Sequence, residues 1–124
     1  MNIPARVAIA ALIATFVPSI PFLVISVLIG EVKFSLMVGI IALAISAAHI
    51  VILGIPVFAL LYRMKIANSN SMIIAGFVLG FIPITIYFAL AGNPFNIFAS
   101  LVFGLLGAYT AWVFSIIWKK LGPN

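Results

Sequence analysis

From Ile66 to Trp118 the chain runs for 53 residues without one formal charge. Two shorter stretches precede it, Val7 to Gly30 with 24 uncharged residues and Phe34 to Tyr62 with 29. A hydrocarbon core of about 30 Å needs about 20 apolar residues of helix to cross it. Each shorter run therefore spans once. The long run spans twice and has to turn, and its turn signal is Ala91-Gly92-Asn93-Pro94-Phe95-Asn96. Asn and Gly favour turns, Pro lacks an N–H, and an unpaired Asn side chain is costly in hydrocarbon. The expected helices are thus 7–30, 34–62, 72–91 and 97–118. They are joined by Glu31-Val32-Lys33, by Asn68-Ser69-Asn70-Ser71 after the basic pair Arg63 and Lys65, and by the 91–96 turn.

Composition agrees with a lipid solvent. Hydrophobic residues make up 67% of the 124 positions, with six Lys or Arg and a single acid, Glu31. Soluble domains carry about 25% charge, so a mean hydropathy of +1.46 leaves too little polar surface for water. A β-barrel is disfavoured because its strands alternate apolar and polar residues, whereas Val27-Leu28-Ile29 and Ile50-Val51-Ile52-Leu53 are apolar at successive positions. Arg6 followed by an apolar run resembles a signal peptide. The run is too long for a cleavable apolar region of about 7–15 residues, so a retained first helix is expected.

The expected fold is a single transmembrane domain, an all-α, integral-membrane, up-down four-helix bundle. With short connections, sequential helices are antiparallel neighbours. An inside N-terminus gathers Arg6, Arg63, Lys65, Lys119 and Lys120 on one side and leaves only Lys33 on the other. That asymmetry puts both termini in the cytoplasm, and the expected location is the bacterial inner membrane. The net charge of +5 is scattered over helix ends rather than collected on one wet face, which argues for membrane anchoring and against nucleic acid.

Four prolines fall inside expected helices: Pro18 and Pro21 in the first, Pro56 in the second and Pro83 in the third. Each removes a backbone donor and is expected to kink its helix. Small residues share faces: Ser35, Gly39, Ala42, Ser46 and His49 in the second helix, and Ser100, Gly104, Gly107, Ala111 and Ser115 in the fourth. Gly76 and Gly80 form a small-xxx-small pair in the third. Gly39, Gly76, Gly80, Gly104 and Gly107 are the expected packing positions, because association in lipid relies on close backbone approach.

His49 is the one titratable group expected at depth. It lies thirteen residues before Tyr62, about 20 Å from the inner boundary at 1.5 Å per residue. Equal depth brings Ser19 and Thr85 to its level, so His49, Ser46, Ser19 and Thr85 form a candidate intramembrane polar cluster. An ionisable residue within a membrane is a candidate functional group, and His can carry protons near neutral pH. A neutral imidazole bonded to Ser or Thr is the structural alternative. Glu31 is about 20 Å of helix rise from His49 and cannot partner it; a surface pair with Lys33 is expected instead.

Much chemistry is excluded. There is no Cys and no Asp, and one Glu and one His cannot furnish a carboxylate pair, a Ser-His-Asp triad or a zinc site within one chain. No Gly-rich phosphate loop with Lys is present. The expectation is a protein that is not an enzyme and has no cofactor and no metal. Small four-helix multidrug exporters carry an acid inside the first helix, and here that helix has none.

The run His49-Ile-Val-Ile-Leu-Gly-Ile-Pro-Val-Phe-Ala-Leu-Leu-Tyr-Arg63, with Gly76-Phe-Val-Leu-Gly-Phe-Ile-Pro83 and Gly104-Leu-Leu-Gly-Ala-Tyr-Thr-Ala-Trp112, resembles the small uncharacterised four-helix proteins of bacterial membranes. The resemblance implies an inner-membrane location and no particular activity. The expected role is that of an accessory or immunity-type subunit binding another membrane component, with the bilayer, a membrane protein or further copies of itself as partners. The alternative is an oligomeric channel or a small-solute or proton transporter with a polar path near His49.

Overall fold

The computed structural model describes residues 2–30, 32–93 and 96–122, with Ser35 described by its backbone alone. Every element among the described residues is helical: α1 (Ile3–Phe16), α2 (Ser19–Ile29), α3 (Val32–His49), a π-helical turn (Ile50–Gly54), α4 (Ile55–Arg63), α5 (Ser69–Leu90) and α6 (Ile97–Lys120). They form four spans, Ile3–Ile29, Val32–Arg63, Ser69–Leu90 and Ile97–Lys120, each long and apolar enough to cross a bilayer. The expected pair of Glu31 with Lys33, and Pro94 and Phe95 of the last turn, lie outside the described residues.

Local capping moves the helix starts. The first span begins at Ile3 rather than Val7 because the Asn2 side chain accepts the Ala5 N–H at 3.0 Å and Pro4 fits a first helical turn. The third begins at Ser69 rather than Met72 because Asn68 and Ser71 form a reciprocal capping box. Residues read as a turn thus start the helix. Asn96 caps α6 by accepting the Ala99 N–H.

The closest packing is between α5 and α6. A Cβ on Gly76 would collide with the Gly107 carbonyl, one on Gly107 with the Gly76 carbonyl, and one on Gly80 with the Phe103 carbonyl. Residue numbers rise along α5 as they fall along α6, so the pair is antiparallel with backbones in contact. Gly104 receives the Phe77 ring, and Gly39 receives the Leu23 side chain where α3 meets α2. All five expected packing glycines thus lie against a neighbouring helix. The most buried side chains are small or hydroxylic, among them Ala10, Ala14, Ser19, Ser100 and Ser115, while Leu12, Ile40, Ile52, Ile74 and Leu105 face outward.

Each proline leaves the carbonyl four residues before it without its α-helical donor, and the chain answers this differently at each site. Pro18 deprives Ala14, whose carbonyl accepts the Val17 N–H at 3.3 Å. Pro21 deprives Val17, whose carbonyl accepts the Ile20 N–H at 3.3 Å. These two tighter bonds separate α1 from α2, and Ser19 Oγ adds a bond to the Phe16 carbonyl at 2.6 Å. Before Pro56 the ladder widens into the π turn, where the Ile55 N–H bonds to the Ile50 carbonyl. Pro83 lies within α5, which continues as helix from Ser69 to Leu90. Its orphaned carbonyl belongs to Leu79.

One end of the bundle is closed by aromatic packing. Phe58 meets Trp118 with ring centroids 4.9 Å apart and Phe114 at 5.1 Å, both edge-on, and Met72, Val7 and Leu61 complete the cluster. The Arg6 guanidinium lies 3.8 Å from the centroid of the Trp118 ring, and its Nη2 donates to the Trp118 carbonyl at 2.8 Å. That carbonyl is in the last turn of α6. Gly122, which would cap it in a continuing helix, donates to Lys119 instead. At the same end Lys119 Nζ donates to Ser69 Oγ at 2.7 Å, and Ser69 lies 3.3 Å from the buried Ser115 hydroxyl. Helix α4 stops through a Schellman motif, with Ile66 N–H on the Leu61 carbonyl and Lys65 at φ 58° in the position usually held by Gly.

Candidate functional site

The interior of the bundle holds a cavity of about 390 Å³ that receives side chains from all four spans. Its shape follows from uneven packing. The glycines bring α5 hard against α6, and α2 lies along α3, but α5 packs on the second span through the π turn and α4, leaving α3 standing off across the cavity. Ile41 and Ile45 of α3 both line the space and remain half-exposed or more, so it opens to the outside along α3. Phe58, Leu61, Met72 and Phe114 wall its basic end.

The walls are apolar except for three side chains: Ser46, His49 and Thr110. Two of the three are spent within their own helices. Ser46 Oγ donates to the Ala42 carbonyl at 2.7 Å, and Thr110 Oγ1 to the Leu106 carbonyl at 2.7 Å. His49 is different. It stands at the last residue of α3, against the π turn, and lines the cavity together with Leu79 of α5. Leu79 is the residue whose carbonyl Pro83 leaves without a helical donor.

The four residues expected to form a polar cluster are divided. His49 and Ser46 line the cavity together, one helical turn apart on α3. Ser19 does not line it; its hydroxyl is fully buried and bonded to the Phe16 carbonyl at the α1–α2 break. Thr85 lies elsewhere on α5, 2.9 Å from both the Phe81 carbonyl and Ser100 Oγ, so it donates to the carbonyl and accepts from the serine across the α5–α6 contact. Equal depth did not mean contact, because Ser19 and Thr85 sit on other faces of their helices. Thr110, Leu79 and the π turn were not singled out in sequence. The spacing Leu79 to Pro83 identifies a carbonyl at 79 without its helical donor, but nothing in sequence alone brings Leu79 and His49 to one cavity.

Among the described residues no three His, Cys, Asp or Glu side chains gather at one place, so no metal cage is built here. Arg6 Nε is buried without a hydrogen-bond partner among those residues, and the guanidinium is held by Trp118 instead of by an acid. The site is an apolar chamber with one polar group in its wall that is not satisfied by its own helix. Comparison of the chain with protein-family models, with curated proteins and with solved structures finds no match.

Proposed function

We propose that this chain is a multi-pass protein of a bacterial inner membrane, with both termini in the cytoplasm, that binds another membrane component inside the bilayer and is not an enzyme. The observation that carries the reading is the open cavity beside α3, apolar but for Ser46, His49 and Thr110, whose two hydroxyls are turned back onto their own helices. Such a chamber suits an apolar occupant entering from lipid, since pockets of about 300–1,000 Å³ with few polar groups are the usual form of small-ligand sites. An accessory or immunity-type subunit is the role that fits a protein of this kind. The inverted distribution of residues, apolar outside and small or hydroxylic inside, supports residence in lipid, where packing depends on close approach. The gathering of Arg6, Lys119, Arg63 and Lys65 at the end that holds Trp118 supports the inward orientation.

Single cysteines at Val32 and Phe95 test the orientation in a chain that has none of its own. Both are expected to react with a membrane-impermeant maleimide added from outside the cell, and labelling only after lysis would overturn the topology. Purified protein in liposomes tests binding against transport. No proton or solute flux beyond protein-free vesicles is expected, whereas a flux that disappears in His49→Ala and His49→Gln would establish the channel or transporter instead.

A further inference from the structure

We infer that a recess at the basic end of the second span, apart from the interior cavity, holds the phosphate of an anionic phospholipid. This site rests on the bilayer residence proposed above and is independent of what fills the cavity. The recess is open, about 520 Å³ in volume, and lined by Tyr62, Arg63, Lys65 and Ala67, where α4 gives way to the turn before α5. The basic side chains at this end are in two different situations. Arg6 lies on Trp118 and Lys119 donates to Ser69, so the fold uses both. The side chains of Arg63 and Lys65 are exposed and make no hydrogen bond or ion pair among the described residues. The one acid of the chain, Glu31, precedes the other end of this 32-residue span.

The turn is held in shape without a ligand. The N–H groups of Met64, Lys65, Ile66 and Asn68 bond to carbonyls within it or in the last turn of α4, and Ser71 Oγ donates to the Ile66 carbonyl. In this run the Ala67 N–H alone has no acceptor among the described residues. Lys65 takes its left-handed backbone where glycine would be strain-free, so the turn keeps a cation at the recess against its own backbone preference. A guanidinium, an ammonium, a phenol and a free N–H together make a donor set suited to phosphate oxygens. The neighbours favour a lipid as its source. Leu60, Met64 and Ile66, beside the recess in the chain, are exposed apolar side chains against which acyl tails can lie, and Tyr62 packs edge-on to Trp118 as interfacial aromatics do. A zwitterionic headgroup would bring its own cation to a recess that already holds two.

Native mass spectrometry of the full chain in non-ionic detergent micelles reads the first lipid bound. Phosphatidylglycerol and phosphatidylcholine with the same acyl chains are titrated in turn, and phosphatidylglycerol is expected to bind about tenfold more tightly, since two basic side chains each attract its net negative charge. Arg63→Gln with Lys65→Gln is expected to remove most of that preference. Lys33→Gln with Lys120→Gln, which takes the same charge from positions outside the recess, is expected to keep it. Equal binding of the two lipids by the unaltered protein overturns the inference with no variant involved and leaves the role of the interior cavity standing. A preference that survives in the Arg63 and Lys65 variant, or falls equally in both double variants, overturns it as well, because net charge and not the recess would then set the selection. Excess inorganic phosphate is expected to leave phosphatidylglycerol bound, and its displacement overturns the lipid assignment in favour of a soluble anion. A failed membrane reading shows itself separately, in the cysteine labelling above.

Discussion

Thr85 of the third span and Ser100 of the fourth stand hydroxyl to hydroxyl, 2.9 Å apart across the α5–α6 contact. Thr85 also bonds the Phe81 carbonyl of its own helix, so one hydroxyl ties the two helices together. Because each side chain satisfies the other, their removal is expected to be coupled. Thr85→Val alone should lower stability by about 1 kcal/mol, within the roughly 0.6–2 kcal/mol of interhelical bonds in membranes. In a Ser100→Ala background the same substitution should cost far less. A double-mutant cycle on unfolding in mixed micelles measures the coupling, and strict additivity of the two changes would refute it.

Backbone contact between α5 and α6 makes a graded prediction for the glycines. Gly80→Ala drives a methyl group into the Phe103 carbonyl and is expected to destabilise by about 1–3 kcal/mol, as overpacking does elsewhere. Gly54→Ala is the control. A Cβ there finds Ile50 Cγ2 at 3.7 Å, an ordinary contact, and stability should be unchanged or slightly raised. Thermal unfolding of the two variants in one detergent separates them.

Arg6 binds Trp118 by its charge over the ring and by a bond to the carbonyl, and lysine can reproduce only part of that arrangement. Arg6→Lys is expected to lose about 1 kcal/mol and to loosen the end of α6. Trp118 fluorescence and the rate of proteolysis after Lys119 and Lys120 report it. An unchanged rate would show that the contact contributes nothing to closing this end.

Lys65 holds a left-handed conformation at φ 58°, which costs an L side chain about 1–2 kcal/mol relative to the right-handed form. Lys65→Gly removes that cost and is expected to raise stability by less than this amount, because glycine also gains freedom in the unfolded chain. The increase should appear as a higher midpoint in the same unfolding assay.

The number and order of the spans were legible in the sequence because length and polarity alone mark a helix apolar enough to cross a bilayer. An uncharged run either spans or does not, and a turn signal is needed where one run is twice too long. The packing glycines were legible for a related reason, since small residues spaced along one helix face have few other uses in hydrocarbon. The breaks at Pro18 and Pro21 followed from their missing donors. Helix starts were less so: Asn68, Ser69 and Ser71 read as a turn, yet Asn68 and Ser71 cap α5 and Ser69 begins it, as the same hydrogen-bonding side chains serve both purposes. What only the tertiary structure decided was who meets whom. Ser19 and Thr85 share a depth with His49 but face elsewhere, Ser19 toward the Phe16 carbonyl and Thr85 toward Ser100. The chamber beside α3 arises likewise from relative helix positions. Two glycine-lined helices close to backbone contact, and the space withdrawn from that interface reappears where α3 stands apart.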